Sequence, residues 1–317
     1  MQAAVFHSYG EPENITIEEV PIPEPKATQI RIRVIASAIH SADIRIRKAD
    51  PFLVRFAFGL FKPRTGRLGI VYSGVVEKCP EQVTVFKEGD NVFGLCDFSP
   101  GAHAEYICVP ENSAIARKPE NLSHAETVTL PFGFHTALHF FKKIDVQSHK
   151  TILIIGAAGN VGIAAVQLAR YHGLHITTVS ALHAQSKLRQ LGAEKTLTVT
   201  EFKERSEFEI YDIVLDTSDK YAYSDLVKMT RADGTLILVA GIISALLLAI
   251  WHKFRRKVTI LAGPASAAAQ DIDFIRELAE TGQIKPDVYR TFSLREIVNA
   301  HKLAESSNKL GVVVIEI

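Results

Sequence analysis

A turn rich in small residues follows a short apolar run near the middle of the chain. The run spans residues 152–155, and its length and β-branched content are typical of a buried parallel strand. The turn has the spacing Ala157-x-Gly159-x-x-Gly162, and apolar residues recur at helical spacing beyond it. Free main-chain N–H groups at such a helix start can bind a pyrophosphate, and a residue without a side chain lets the ligand approach. Because a second strand follows at residues 175–180, this context predicts a dinucleotide site rather than an ordinary turn.

The composition is that of a soluble globular protein of one large or two smaller domains. Of the 317 residues 47% are hydrophobic, and 36 Lys and Arg face 35 Asp and Glu, so no basic excess suggests a nucleic-acid partner. The N-terminus lacks the charged segment and apolar core of a signal peptide. Cys79, Cys96 and Cys108 have no CxxC spacing and suit a reducing compartment. We therefore expect a cytoplasmic protein.

One apolar run requires a comparison with membrane segments. Residues 242–251 are strongly apolar, and the basic residues 252–257 follow them. Ten residues cannot cross a bilayer as a helix, which needs about twenty. We expect no transmembrane segment and interpret the run as a helix at an interface or over a pocket. A peripheral membrane contact through the basic flank is the second interpretation.

The pattern of elements changes along the chain. Residues 2–36 read as antiparallel strands with clean alternation, and the β-rich character continues to about residue 109. Between residues 151 and 262 six strands alternate with helices, which indicates a doubly wound sheet. The tail reads strand, helix, strand and has no place in a six-stranded sheet, so we assign it to the first domain. The expected domains are residues 1–120 with 264–317, and residues 121–263.

Five short motifs in the first half of the chain occur in the same order as in a known superfamily. They read Gly69-x-x-x-Ser73-Gly74-Val75-Val76-Glu77, Phe86-x-x-Gly89-Asp90-x-Val92-Phe93-Gly94, Ala104-Glu105-Tyr106, Leu130-Pro131 and Thr136-Ala137. With them the chain resembles the medium-chain dehydrogenase/reductase superfamily over its whole length, and within it the zinc-free quinone oxidoreductase and enone reductase branch. The resemblance implies an α/β fold, with a Rossmann doubly wound parallel sheet plus a GroES-like β-rich catalytic domain. It also implies a homodimer.

Zinc-dependent members of this superfamily hold the metal with a cysteine, a GHE motif and a later cysteine or aspartate. The corresponding stretches here read His40-Ser41-Ala42-Asp43 and Gly69-Ile70-Val71, and isoleucine and valine cannot ligate a metal. We therefore expect no metal site. Without a Lewis acid, oxidation of an alcohol is difficult, whereas reduction of an activated acceptor needs only donors for the developing oxyanion. The expected reaction is hydride transfer from reduced nicotinamide to a quinone or an α,β-unsaturated carbonyl.

The resemblance implies three candidate catalytic residues. His40 stands where the family usually has asparagine, Ser41 where proline follows it, and Arg45 where many quinone reductases have a tyrosine facing the substrate. A site role for His40 is favoured slightly over that of a core or loop histidine, and Arg45 is equally interpretable as a solvated residue of a β-like segment shared with Arg47. The family's tail lysine is absent, and Lys309 is displaced from its position and not expected to replace it. The proton donor, which water can also be, stays open.

The cofactor expected from the second strand of the doubly wound sheet is NADPH. An NAD site places an acidic residue at the end of that strand, but the stretch from 160 to 193 has no Asp or Glu. Ser180, His183 and Lys187 could supply donors and charge to a 2′-phosphate. By resemblance, the other cofactor contacts come from Thr136, Ala157, Ala158, Gly159, Asn160, Val161, Gly162, Asp216, Thr217, Val239, Ala240 and Gly241.

A phenylalanine-rich segment, residues 51–63, carries four phenylalanines in what we expect to be a loop. It is interpretable as a lid over a lipophilic small-molecule acceptor or as a dimer interface, and both stay open. The sequence thus predicts a zinc-independent, NADPH-dependent oxidoreductase. The alternative is a catalytically weak NADPH-binding sensor or scaffold protein, suggested by the departures from the family at His40, Arg45 and the tail.

Overall fold

The computed structural model describes residues 1–96, 99–204, 210–239, 258–266, 268–306 and 309–317. The chain forms two compact units. The first consists of Met1–Phe132 and Ala267–Ile317, and the second of Gly133–Ser266. Residues 121–132, which the sequence analysis assigned to the dinucleotide-binding domain, are part of the first unit. Within the described ranges every helix is too short or too polar to span a membrane.

The regular elements are numbered in chain order. The strands are β1 (Gln2–Phe6), β2 (Ile15–Glu19), β3 (Gln29–Ile39), β4 (Val71–Lys78), β5 (Asn91–Leu95), β6 (Tyr106–Pro110), β7 (Ile115–Arg117), β8 (Thr151–Ile155), β9 (His175–Ser180), β10 (Lys195–Thr198), β11 (Tyr211–Asp216), β12 (Thr230–Leu238), β13 (Thr259–Ala262), β14 (Val288–Ser293) and β15 (Val312–Glu316). The helices are α1 (Ser41–Lys48), α2 (Val54–Phe58), α3 (His124–Thr127), α4 (Pro131–Phe141), α5 (Asn160–Tyr171), α6 (Gln185–Leu191), α7 (Val199–Lys203), α8 (Tyr223–Met229), α9 (Ala269–Glu280) and α10 (Ile297–Glu305).

The first unit is organised around the long strand β3. Its sheet has the order β14-β15-β3-β4-β5-β7, and β6 also pairs with β3. In the first half of β3 the buried residues Ile30, Ile32 and Val34 alternate with outward-facing ones, as the sequence pattern predicts. The last four residues of β3 are all buried. This buried half of the strand leads the chain directly into His40.

The second unit is a six-stranded parallel sheet. Its order is β10-β9-β8-β11-β12-β13, and each neighbouring pair is parallel. Numbered from β8, this is the order 3-2-1-4-5-6 of a doubly wound dinucleotide-binding sheet. Each of the four residues 152–155 of β8 is buried, as a strand covered on both faces requires. The predicted α/β fold class is confirmed, and in such a sheet ligands bind beyond the carboxyl ends of the central strands.

Two local interpretations of the first unit were wrong. Arg45 and Arg47 do not lie on a β-like segment, because α1 begins directly after His40 in a reciprocal capping arrangement with Asp43. Arg47 is buried rather than solvated, and its guanidinium contacts the carboxylate of Glu305. Residues 51–63 are not a simple loop either, since they contain α2. Both helices are short, and so their apolar period is too brief to be recognised in the sequence.

Candidate functional site

The glycine-bearing turn joins β8 to α5, and two of its glycines are required by the protein's own packing. Gly156 has a φ of +75°, a left-handed conformation that favours glycine, and a Cβ there would lie 2.4 Å from Oγ1 of Thr217. A Cβ on Gly162 would lie 2.5 Å from the carbonyl oxygen of Gly156. Gly156 was not among the predicted site residues, although its position directly after the strand was a usable signal. It makes the sharp turn possible.

Gly159 differs from these two glycines because no internal contact requires it. It precedes α5 with φ −75° and ψ 164°, values open to any residue. An added Cβ would meet one atom within 4 Å, the carbonyl oxygen of Gly156 at 3.4 Å. The missing side chain therefore leaves space at the N-terminus of a twelve-residue helix, where unpaired N–H groups favour an anion. This space fits the pyrophosphate of a dinucleotide.

The predicted cofactor residues are distributed along the carboxyl edge of the sheet. Ala157, Ala158, Gly159, Asn160, Val161 and Gly162 form the turn and the start of α5, and Thr136 is buried on α4. Thr217, at the end of β11, donates its hydroxyl to the carbonyl oxygen of Gly156 at 3.0 Å, which ties this strand end to the turn. Asp216 is buried, which raises the pKa of its carboxyl, and it accepts two hydrogen bonds from Ser218. Val239 donates its N–H to the carbonyl of Asp216, whereas Ala240 and Gly241 lie outside the described residues.

The end of β9 carries polar groups but no carboxylate. Ser180 is buried, and its hydroxyl donates to the carbonyl of Ala181 at 3.2 Å. His183 is exposed in a short 3-10 turn, and Lys187 is half-buried on α6. A hydroxyl thus ends this strand, at the point where the ribose specificity of such folds is decided, and a histidine and a lysine follow on the next two short helical segments.

In the first unit, His40 and Asp43 are held together by their main chains. The N–H of His40 donates to Oδ2 of Asp43 at 3.0 Å, and the N–H of Gly69 donates to Oδ1 at 2.9 Å. Both side chains are buried, and the His40 ring stacks on Phe132 with 4.7 Å between ring centroids. Burial raises the pKa of Asp43 to about 7, against the opposing effect of the main-chain donors. Asp43 therefore acts as a structural clamp between the start of α1 and the start of β4.

The His40 ring is neutral at physiological pH. Burial lowers its pKa to about 3, and the Lys309 ammonium and the His103 ring add to this effect. Lys309 lies just before β15, and the register Val313 opposite Ile39 brings that end of β15 beside His40. The position of Lys309 relative to His40 was not foreseen from the sequence, because it depends on pairing between strands at opposite ends of the chain.

Ser41 and Arg45 are placed differently from His40. Ser41 is exposed in the first turn of α1. Arg45 is exposed on the same helix, and no described residue forms an ion pair with it or accepts a hydrogen bond from its side chain. Of the three predicted catalytic residues, the structure buries His40 and leaves the other two in solvent.

Two further buried histidines, His103 and His301, form a pair near His40, and the sequence analysis did not identify them. Ser37 donates its hydroxyl to the carbonyl of Val71 at 2.8 Å, so its 3.0 Å contact with His103 Nδ1 requires that Nδ1 carries the proton. The ring centroids of His103 and His301 are 6.0 Å apart, and the two rings pack edge to face. His103 Nε2 and both ring nitrogens of His301 are buried, and no described residue bonds them. Burial lowers the pKa of both histidines, that of His103 to about 3.

The donor set around His40 does not suit a metal ion. Both carboxylate oxygens of Asp43 face main-chain N–H groups, and Ile70 and Val71 occupy the place of the GHE ligands. Across the part of the chain that the structure describes, no three His, Cys, Asp or Glu side chains form a group that could hold a metal.

Comparisons with known proteins agree with this geometry. Residues 26–120 match the family described as alcohol dehydrogenase GroES-like domain, and residues 191–315 match the family described as zinc-binding dehydrogenase. The chain is 29% identical to 2-methylene-furan-3-one reductase of Solanum lycopersicum, over 99% of this chain and 79% of that protein. It is 28% identical to the chloroplastic NADPH-dependent alkenal/one oxidoreductase of Arabidopsis thaliana, over 99% and 79%. The structure of the quinone oxidoreductase from Coxiella burnetii superposes with a TM-score of 0.89 at 24% identity, over 100% of this chain and 99% of that one.

The chain belongs to the medium-chain dehydrogenase/reductase superfamily. Within it, the chain falls in the branch of quinone oxidoreductases and enone reductases, as the sequence motifs predict. The protein is an oxidoreductase that uses a nicotinamide nucleotide. The glycine-bearing turn and the open space at Gly159 are the features of the second unit that fit this cofactor.

Proposed function

We propose that this oxidoreductase transfers hydride from NADPH to a quinone or an α,β-unsaturated carbonyl without a metal ion. The observation that carries the proposal is the environment of His40. The neighbouring carboxylate of Asp43 accepts hydrogen bonds from two main-chain N–H groups, and apolar residues stand in place of metal ligands. A site built in this way can donate hydrogen bonds to an acceptor, but it lacks the groups that would bind a Lewis acid.

The preference for NADPH follows from the end of β9. A carboxylate at this strand end would accept a hydrogen bond from a ribose hydroxyl and repel a 2′-phosphate. The stretch from residue 160 to residue 193 has no Asp or Glu, Ser180 is the last residue of β9, and Lys187 lies on the helix α6 that follows. The name of the Arabidopsis relative includes NADPH, which supports the same choice.

The protein's own part in the reaction is to stabilise the negative charge that develops on the acceptor. Bound reduced nicotinamide supplies the hydride. When the acceptor takes it up, the electron pair of its double bond moves to the conjugated oxygen, and a preorganised donor stabilises the oxyanion. His40 suits this role as a neutral imidazole, because a group with a pKa of about 3 does not deliver a proton near pH 7. The proton that completes the reduction then comes from another group or from water.

The remaining properties form part of the same proposal. The three cysteines are free, and burial raises the pKa of Cys79 and that of Cys108, the latter to about 11. Unreactive thiols of this kind suit a reducing compartment, and we propose the cytoplasm. We further propose a lipophilic acceptor and a homodimer, both of which membership of the superfamily supports.

A cofactor-oxidation screen tests the proposal. The loss of absorbance of NADPH and of NADH is followed with 1,4-benzoquinone, with alkenals and with cyclic and linear enones, each against a reaction without enzyme. We expect turnover with NADPH, weaker turnover with NADH, and equal rates before and after dialysis against a chelator. Turnover that disappears on chelation and returns with Zn²⁺ would contradict the metal-free mechanism. Tight NADPH binding without turnover on any acceptor would favour a sensor or scaffold instead.

A further inference from the structure

Large apolar side chains are exposed together in the segment that contains α2. Five of them lie within ten residues, and we call them the aromatic patch: Phe52, Leu53, Phe56, Leu60 and Phe61. Phe61 is 88% exposed, Phe56 62% and Phe52 60%. Single exposed apolar residues are ordinary, but a cluster of this kind on a soluble unit marks a surface that meets an apolar environment.

The aromatic patch is held outward by contacts beneath it. The Tyr9 hydroxyl donates to the carbonyl of Gly59 at 2.7 Å. The Arg55 guanidinium lies 4.9 Å from the centroid of the Tyr9 ring and 5.4 Å from that of Phe52. Phe52 and Phe56 pack edge to face at 6.1 Å. The segment is thus anchored to the body of the first unit, and its rings point to solvent as part of a built surface.

Cations outnumber acids in the sequence around the aromatic patch, where the exposed Asp50 directly precedes the segment. From Pro51 through Val76 there is no Asp or Glu, whereas four cations occur in that stretch, Arg55, Lys62, Arg64 and Arg67. Lys62 and Arg64 are exposed beside Phe61, and within the described ranges neither is engaged in an ion pair. Exposed apolar rings with unpaired cations at their edge complement a surface in which negatively charged groups overlie an apolar layer.

A second copy of the chain fits this surface less well. A two-fold interface through this patch would bring the cations of both copies into one interface, and like charges brought together disfavour association. Anionic lipid headgroups provide the opposite charge, and the boundary between headgroups and acyl chains accommodates aromatic rings.

We propose that the aromatic patch is a membrane-binding surface that places Phe52, Phe56 and Phe61 in the interfacial region of a bilayer containing anionic lipid. Lys62 and Arg64 contact the headgroups, and the first unit rests on the bilayer without crossing it. The inference does not depend on the proposed reaction. If that reaction is correct, the surface also gives the enzyme access to acceptors dissolved in the membrane.

Vesicle sedimentation tests the proposal with the full-length protein. Sucrose-loaded phosphatidylcholine vesicles are compared with vesicles containing about one-third phosphatidylglycerol. We expect at least about tenfold tighter binding to the anionic vesicles, reduced in about 0.5 M NaCl because salt screens the headgroup charge. Lys62→Gln with Arg64→Gln should weaken binding by about fivefold per cation. Phe56→Ser with Phe61→Ser should weaken it by at least about tenfold, because the variant buries less apolar surface.

Matched variants elsewhere on the first unit serve as controls. Lys26→Gln with Lys87→Gln removes two exposed cations, and Ile22→Ser with Val85→Ser removes two exposed apolar side chains. These controls should bind anionic vesicles like the wild type, and equal melting temperatures show that all variants are folded.

Three results would overturn the proposal. The first is no vesicle binding by the wild type, or equal binding by the Phe56→Ser, Phe61→Ser variant. The second is a wild-type dimer that this variant converts to a monomer without any change in vesicle binding, which would make the surface a contact between copies. The third is a raised KM for the acceptor with vesicle binding unchanged, which would make the segment a lid.

Discussion

The main-chain N–H of His40 donates a hydrogen bond to Oδ2 of Asp43 at 3.0 Å, and both residues are buried. The other carboxylate oxygen accepts from the N–H of Gly69, so one side chain fixes two parts of the chain that are 26 residues apart. This bond sets the start of α1 and the orientation of the ring that we assign to the acceptor. It also gives the acidic residue at this position a structural role.

Asp43→Asn should destabilise the fold. The amide presents a donor to one of the two N–H groups that now face a carboxylate oxygen, so a buried N–H loses its acceptor. We expect the free energy of unfolding to fall by about 1–3 kcal/mol, measured by urea denaturation at pH 7. Asp50→Asn, at an exposed position one turn beyond α1, is the control. Equal stability of Asp43→Asn and the wild type would contradict the clamp.

Gly159→Ala and Gly162→Ala should affect different properties. At Gly159 a methyl group meets one protein atom at 3.4 Å, so the fold should tolerate it while the pyrophosphate loses space. We expect Gly159→Ala to keep the wild-type melting temperature and to weaken NADPH binding at least about tenfold, measured by cofactor fluorescence. Gly162→Ala should lower the melting temperature, because its Cβ would lie 2.5 Å from the carbonyl oxygen of Gly156. If Gly159→Ala lowered the melting temperature and left NADPH binding unchanged, the cofactor would have to lie elsewhere.

A new carboxylate at the end of β9 should change the cofactor preference. Ala181 is exposed directly after the last residue of that strand, so Ala181→Asp introduces an acid without disturbing the core. The acid should repel the 2′-phosphate of NADPH and accept from the ribose hydroxyls of NADH. We expect the ratio of the two dissociation constants to shift by at least about tenfold toward NADH. Gln190→Asp, exposed near the end of α6, is the control. An unchanged ratio would show that the ribose site lies away from β9.

The stability of the fold should fall as the pH is lowered from 7 to 4. His40, His103, His124, His172 and His301 have pKa values below the ordinary 6.5 in the folded state, so below that pH the unfolded chain binds protons that the folded chain does not. Asp43 acts in the opposite direction, because its pKa is raised from 3.8 to about 7. The lowered histidines outnumber the two carboxyls with a raised pKa, Asp43 and Asp216, so the net effect is a loss of stability as the pH falls. Each proton of difference corresponds to about 1.4 kcal/mol per pH unit.

Urea denaturation at several pH values in this window measures the slope. His103→Asn should make the slope shallower by about 1.4 kcal/mol per pH unit, because one proton of the difference between the unfolded and folded states is removed. A stability that stays constant or rises between pH 7 and pH 4 would show that the buried histidines are solvated or paired in solution.

Lys309 should release its proton more readily than an ordinary lysine. Burial lowers the pKa of its ammonium from 10.5, and it lies just before β15, whose register with β3 places that end beside His40. Limited acetylation across a pH series, read by mass spectrometry, should show half-maximal reactivity at a lower pH in the native protein than in urea. Identical curves in the two states would mean that Lys309 is fully solvated.

Much of the fold could be predicted because its signals are local. The apolar run before the turn, the spacing of Gly159 and Gly162 and the helical period that follows all lie within about twenty residues, and together they predict a strand, a turn and a helix. The absence of acids between residues 160 and 193 is also visible without a structure. Local rules failed at α1, where a cap formed by His40 and Asp43 starts a helix too short to show a period.

The sequence by itself determined the fold class, a two-part α/β protein with a dinucleotide turn, because strand and helix patterns and glycine spacing act over short stretches. Its activity as an oxidoreductase was implied by the motifs that it shares with a known superfamily. The tertiary structure alone decided the character of the site and the surface. Burial made His40 neutral, and strand pairing brought Lys309 beside it. Arg55 and Gly59 contact Tyr9, while Phe52, Phe56 and Phe61 of the same segment are exposed. A residue's type is written in the sequence, but its pKa and exposure depend on atoms supplied by distant parts of the chain.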